Sequence, residues 1–427
     1  MSNMLLKNAE ILTPDGIIQK GDILIENDII SKVGSIDANF TADTVIDCNN
    51  KLAIPGLINT HTHAAMTLFR SYADDMLLMD WLQNKIWPAE AKLKSEDIFW
   101  GTQLAIAEML KSGTTTFADM YFYMPQVAQA VAESGIRAVL ARGMAGVAPT
   151  ADQALVESEQ FYNEYNNAAD GRITVMIGPH APYTCPPDYL KKVVALARRL
   201  GAEIHIHLSE TSDEVQNCYK QHRMSPIKLM DELGVLDCGT LAAHCVHVSE
   251  DDIAIMKSKA VRVAHNPGSN MKLASGIAPV PQMLEAGLCV SLGTDGAASN
   301  NNLDMFEELR LAATLHKANT LDPLVIPASQ AVEMATSLGA KALGLSGVTG
   351  MIKAGLKADI VLIDMDALHW YPRHDRVSLL AYSAGQGDVD TVIVNGKVLV
   401  HNHRLTTIDE EQLKYEVQRR GMKLVSQ

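Results

Sequence analysis

The six cysteines form no C-x-x-C pair, no stretch approaches eighteen consecutive apolar residues, and basic charge is outnumbered by acidic. Each absence removes a class of protein. Cys48, Cys185, Cys218, Cys238, Cys245 and Cys289 give no disulfide framework, which a chain of 427 residues does not need, and they fit reduced thiols in a cytoplasmic setting. Without a long apolar run no segment is expected to cross a bilayer as a helix, and Asp15, Asp22, Glu26 and Asp28 interrupt any secretory apolar stretch. A formal net charge of −14 repels nucleic acid phosphates and anionic lipid, so neither a nucleic acid nor a membrane is an expected partner. Low-complexity linkers are lacking too, and 47% apolar with 20% charged residues are the proportions of a packed globular protein.

What is present is a repeated alternation. Short apolar, strand-like runs start near Gly56, Thr114, Arg137, Ile173, Ala202, Leu241, Val261 and Leu288, most followed by a helix-length segment such as Glu96 to Lys111 or Pro187 to Leu200. Eight such units imply an α/β fold of the (β/α)8 TIM-barrel type, with functional groups at the C-terminal strand ends. The ends of the chain differ. Asp22 to Glu26 and Ile29 to Val33 flank an Asn27-Asp28 turn, while Thr391 to Val394 and Lys397 to Val400 flank Asn395-Gly396, a strong type I′ signal. The two termini are expected to pair into one small β-sandwich domain, residues 1–57 and 346–427, around a barrel of residues 58–345. A terminal helix is expected from about Asp409 to Val425.

His61-Thr62-His63 closes the first of the eight runs. Residues two apart on a strand share a face, so these imidazoles make half a metal site. The other half is sought at later strand ends, where His207, His244 and Asp295 close short apolar segments. Three neutral imidazoles and one carboxylate suit Zn²⁺, with Fe²⁺ as the alternative. Glu210, three residues beyond His207, lies at the mouth, where a carboxylate can move a proton between water and substrate; its other reading is a helix start within Glu210-Thr-Ser-Asp-Glu214. His244 is placed to polarise a water or to stabilise developing charge, and Asp295 to bind metal and accept a proton. His205 shares the face of His207 but lies deeper and is read, with His247 and His265, as structural.

Pro55-Gly-Leu-Ile-Asn-Thr-His-Thr-His63, His207-Leu-Ser-Glu210, His265-Asn-Pro-Gly-Ser-Asn270 and Gly293-Thr-Asp-Gly296 resemble the amidohydrolase superfamily, and within it the 5′-methylthioadenosine/S-adenosylhomocysteine deaminases and the related chlorohydrolases. The resemblance spans nearly the whole chain. It implies that His61, His63, His207 and Asp295 bind one metal; the bridging lysine of two-metal members has no counterpart in Ile173-Thr-Val-Met-Ile-Gly178. It implies hydrolytic deamination of an adenine nucleoside, with Glu210, His244 and Asp295 catalytic, and dimerisation only as a family-level expectation. Substrate contacts carried over are Glu90 to the ribose hydroxyls, His180 to the purine and Arg142 near the 5′ side, while Trp81 and Leu82 are read as cover for an apolar substituent and Glu210 as a contact to the ring.

One departure bears on selectivity. From Gly143 to Gln160 the chain has no arginine or lysine to hold the amino-acid carboxylate of S-adenosylhomocysteine, which favours 5′-methylthioadenosine, with adenosine tolerated. Two rivals remain open at this level: an enzyme of the same fold acting on guanine or a chlorotriazine, and a non-catalytic scaffold.

Overall fold

The computed structural model describes residues 3–37 and 40–426. Seventeen strands form among the described residues: β1 (Asn3–Leu12), β2 (Ile18–Glu26), β3 (Ile29–Gly34), β4 (Thr44–Asp47), β5 (Lys51–Pro55), β6 (Leu57–Thr62), β7 (Thr114–Tyr121), β8 (Arg137–Met144), β9 (Ile173–Pro179), β10 (His205–Leu208), β11 (Leu241–His244), β12 (Arg262–His265), β13 (Cys289–Leu292), β14 (Ile360–Asp364), β15 (Val389–Val394), β16 (Lys397–His401) and β17 (Arg404–Leu405). The eight strands β6 to β13 all pair in parallel, in two four-stranded sheets of orders β6-β7-β8-β9 and β10-β11-β12-β13. A parallel bridge between Ile177 and Ile204 joins β9 to the β10 side. On the other side Asp295 N donates to His61 O at 2.9 Å, and Thr60 Oγ1 to Leu292 O at 2.8 Å.

These strands read as apolar runs because both faces are covered: every residue of β6, β7, β10, β11 and β13 is buried. Helices follow most of them. Pro187–Leu200 shows why: Tyr189, Leu190, Val193, Val194 and Ala197 recur at helical spacing and are buried, while Lys191, Lys192 and Arg198 face out.

Strands from the two termini form one nine-stranded sheet, in which β5 pairs antiparallel with β14 across more than 300 positions of sequence. Where the sequence suggests a sandwich, hydrogen bonding makes a single sheet that curls on itself. Leu6, Ile11, Ile23, Ile25, Ile30, Ile360, Leu362 and Ile393 share one core on its inner face, and an Ile29–Lys357 bridge brings its distant parts together. The β2–β3 and β15–β16 hairpins lie where the sequence puts them. Asn395 and Gly396 both have positive φ, and a Cβ on Gly396 would fall 2.1 Å from Asn27 O, so only glycine fits this contact. Arg137, at the start of β8, forms a buried ion pair with Asp359 at 2.9 Å and ties the parallel strands to the curled sheet.

The terminal helix Glu410–Val425, capped by Asp409, packs on helix Ser95–Lys111, with Arg420 paired to Asp97 at 2.8 Å. No helix among the described residues is long and apolar enough to cross a membrane, and all six cysteines are free thiols.

Candidate metal and active site

His61, His63, His207, His244, Glu210 and Asp295 converge at the C-terminal ends of β6, β10, β11 and β13. Nitrogens of His61, His207 and His244 lie within 4.8 Å of one another, as do the donor atoms of His61, His63 and Asp295. Asp295 Oδ1 is 3.5 Å from His61 Nε2 and 3.3 Å from His63 Nε2, and His63 Nε2 is 3.2 Å from His207 Nε2.

The protons on these rings follow from what stands behind them. His63 Nδ1 is 2.7 Å from Met120 O and His207 Nδ1 is 2.7 Å from His180 O. A carbonyl only accepts, so each Nδ1 carries the hydrogen and each Nε2 presents a lone pair to the centre. His61 Nδ1 stands 2.9 Å from His205 Nε2, while its Nε2 is buried without a hydrogen-bond partner. An orphaned buried acceptor facing two further imidazole lone pairs and a carboxylate is costly as it stands, and a divalent cation among them satisfies all four.

Charge agrees with that fit. Burial lowers His61 to a pKa of about 4 and holds His207 well below its ordinary value, keeping both neutral as ligands must be. Burial alone would raise Asp295, but His61, His63 and His244 overcome it and hold the carboxyl well below the usual range. Its Oδ2 accepts from Ser269 at 2.7 Å and Ser299 at 2.9 Å, which leaves Oδ1 for the centre. The loop needs glycine here: a Cβ on Gly293 would meet Asn266 Oδ1 at 2.5 Å and His61 N at 2.8 Å.

Glu210 and His244 form the other wall, Oε2 to Nε2 3.9 Å. Burial raises the Glu210 carboxyl; burial would lower His244, but Glu210 and Asp295 outweigh it and raise the imidazole. Asn270 Oδ1, 2.8 Å from His244 Nδ1, fixes that ring. Glu210 does not cap a helix. Helix Ser212–His222 is capped by Thr211, whose side chain accepts from Glu214 N.

These groups open into a cavity of about 310 Å³. Its walls are mostly apolar, with Met66, Leu78, Trp81, Leu82, Trp87 and Met144, and no lysine or arginine among the described residues lines it. Trp81, Glu90, His180 and Glu210 all line it, as the sequence places them. Glu90 accepts from Tyr121 Oη at 2.5 Å, and His180 Nδ1 lies 2.9 Å from Thr184 Oγ1. Arg142 is the exception. It lies within β8, which runs on two residues to Met144, and its guanidinium pairs with Glu157 at 2.8 Å and lies 5.8 Å from the Phe122 ring, while the residues after it, Gly143 and Met144, reach the cavity.

Sequence reasoning missed Tyr121, Ser269, Ser299 and Asn270. The last three lie within or near quoted motifs, and what was missing was their partners, 26 positions away for both Ser269–Asp295 and Asn270–His244. His265 Nε2 lies 3.2 Å from His316 Nε2, and His247 Nε2 lies 2.7 Å from Ser275 O.

The amidohydrolase family profile matches residues 52–399. A protein of Pelotomaculum thermopropionicum named 5-methylthioadenosine/S-adenosylhomocysteine deaminase is 54% identical, with all of both chains covered, and one of the same name from Dictyoglomus thermophilum is 51% identical over 99% of each. Among solved structures, an adenosine deaminase from Xanthomonas campestris with bound zinc superposes with a TM-score of 0.95 at 33% identity, covering 99% of this chain and 98% of its own. An atrazine chlorohydrolase from Arthrobacter aurescens, at 24% identity and a TM-score of 0.92 over 98% of this chain and all of its own, shares the fold. With a profile spanning most of the chain and relatives half identical over its whole length, this protein belongs to the amidohydrolase family.

Proposed function

We propose that the chain is a metal-dependent hydrolase that deaminates adenine nucleosides, converting 5′-methylthioadenosine to 5′-methylthioinosine and ammonia, with adenosine and S-adenosylhomocysteine as further substrates. The observation that carries this reading is the convergence of the His63 and His207 imidazoles and Asp295 on the unpartnered His61 Nε2, with Glu210 and His244 beside them at the floor of an apolar cavity. Strands β6 to β13 form the (β/α)8 barrel of residues 58–345, and residues 1–57 with 346–427 form the β domain. His61, His63, His207 and Asp295 hold one divalent cation, Zn²⁺ in first place and Fe²⁺ as the alternative. Six free thiols support a reducing cytoplasmic setting.

Such a cation, when bound, supplies Lewis acidity that brings the pKa of water from about 15.7 to about 7. The side chains do the rest. Glu210 accepts the proton of the attacking water and delivers it to the ring nitrogen next to the carbon under attack; burial raises its carboxyl, which lets it hold the proton between the two steps. His244, held by Asn270, donates to the oxygen as charge develops on it. Asp295 takes the second proton on its way to departing ammonia. Glu90 accepts the ribose hydroxyls, His180 meets the purine, and Trp81 packs on the 5′ substituent.

The same cavity weighs against a chlorotriazine, which has no ribose for Glu90 and whose chloride needs little proton delivery. The test is ammonia release from 5′-methylthioadenosine, adenosine, S-adenosylhomocysteine and guanine, and chloride release from a chlorotriazine, with metal counted per chain. We expect one metal and the highest kcat/KM for 5′-methylthioadenosine, lost on chelation and restored by Zn²⁺. Preferred turnover of guanine or the triazine, or full activity without metal, would overturn the proposal.

A further inference from the structure

Glu214 lies at the third position of helix Ser212–His222, where a glutamate ordinarily reaches back to the backbone N–H of the capping residue. Its carboxylate goes further back. Oε1 accepts from Ser209 N and Oε2 from Glu210 N, both at 2.9 Å, so one side chain takes two consecutive main-chain donors. The residue is buried, and burial lifts its carboxyl to a pKa of about 7 against the pull of those two N–H groups. A buried carboxyl held by main-chain donors rather than by a cation costs stability, and helix capping does not require it, because Thr211 already caps that helix.

The segment it holds is strained. Ser209 has a φ of +52°, the left-handed region that non-glycine residues avoid. Its carbonyl accepts from His247 N at 2.9 Å, so Ser209 is fixed at both its N–H and its C=O. This reversal directly after β10 turns the chain so that Glu210 faces His244 across 3.9 Å instead of running out along the strand.

We infer that Glu214 is a positioning residue for the deamination: its carboxylate clamps the Ser209–Glu210 backbone so that the Glu210 carboxylate is presented to the water and the ring nitrogen. This rests on the reading of Glu210 as the proton carrier. It assigns Glu214 no contact with substrate and no metal. The amide of E214Q has one acceptor oxygen and would set its NH₂ against the second N–H, so the clamp is half lost with little change in shape.

The experiment compares E214Q, E210Q and the double variant, with T211A as a control that removes the helix cap and leaves the clamp. E214Q should lower kcat for 5′-methylthioadenosine at least tenfold, with KM within twofold and metal content per chain unchanged. The double variant should be no slower than E210Q, because Glu214 acts only through Glu210. T211A should lower Tm and keep kcat. Should E214Q fail to fold, E214D keeps the charge, shortens the reach and is read by the same kcat and double-variant criteria. An unchanged kcat in E214Q, an E214Q loss that multiplies with that of E210Q, or a T211A loss of kcat equal to that of E214Q would overturn the inference while leaving Glu210 in place. Full turnover by E210Q would remove Glu210 from the chemistry and this inference with it.

Discussion

His205 Nε2 stands 2.9 Å from His61 Nδ1, directly behind the imidazole whose other nitrogen faces the centre of the site. A buried imidazole that accepts this proton fixes the His61 tautomer and ring plane, as a carboxylate or carbonyl does behind metal-binding histidines in general. Replacing it with leucine should weaken zinc affinity about 10- to 100-fold, measured by competition with a chromogenic chelator, and glutamine should recover part of that loss. An unchanged zinc Kd in H205L would reduce His205 to core packing.

The Tyr121–Glu90 hydrogen bond makes a second expectation about binding. If Glu90 accepts the ribose hydroxyls, E90A should lower kcat/KM for nucleosides about 10- to 100-fold, the range for a charge-assisted hydrogen bond, and change turnover of free adenine by less than about twofold. Y121F should raise the nucleoside KM with kcat nearly kept, since it frees the carboxylate without removing it. Equal losses on nucleoside and free base would defeat the ribose assignment.

Selectivity for the 5′ substituent should be open to a single change. Val147 lines the cavity and is 63% exposed, in a lining without lysine or arginine among the described residues. V147R should raise kcat/KM for S-adenosylhomocysteine relative to 5′-methylthioadenosine by about tenfold, the worth of a charged hydrogen bond to its carboxylate. A constant ratio of the two substrates would show that cation content does not set the preference.

Glu308 gives a pH dependence of stability. Burial raises its carboxyl from 4.5 to about 8, although Gly268 N and Asn300 Nδ2 both donate to it. Between those two values the folded chain keeps a proton that the unfolded chain has released, so stability falls as pH rises through this window and levels off above it. E308Q cannot titrate. Relative to E308Q, the wild type should therefore lose several degrees of Tm between about pH 5 and pH 8.5, by differential scanning calorimetry of the metal-loaded proteins. Parallel Tm curves would show that Glu308 has no raised pKa.

The eight parallel strands, the terminal hairpins and the helices Ser95–Lys111, Pro187–Leu200 and Glu410–Val425 were all legible in the sequence, because apolar periodicity and turn residues are local signals. The His61-x-His63 pair was legible for the same reason: two positions on one strand share a face whatever the rest of the chain does. His207, His244 and Asp295 could be named because each ends a short apolar run, and Glu210 because it follows His207 by three residues.

Tertiary structure decided what those groups touch. His61 meets His205 across 144 residues, and Asn59 meets Thr294 across 235, distances over which no local pattern carries information. Arg142 turned to Glu157 because a nearby carboxylate satisfies a guanidinium that the apolar cavity would leave unpaired. Chain-local physics set which residues stand at the strand ends, and packing of the separate strands against one another set which of their atoms face a common point.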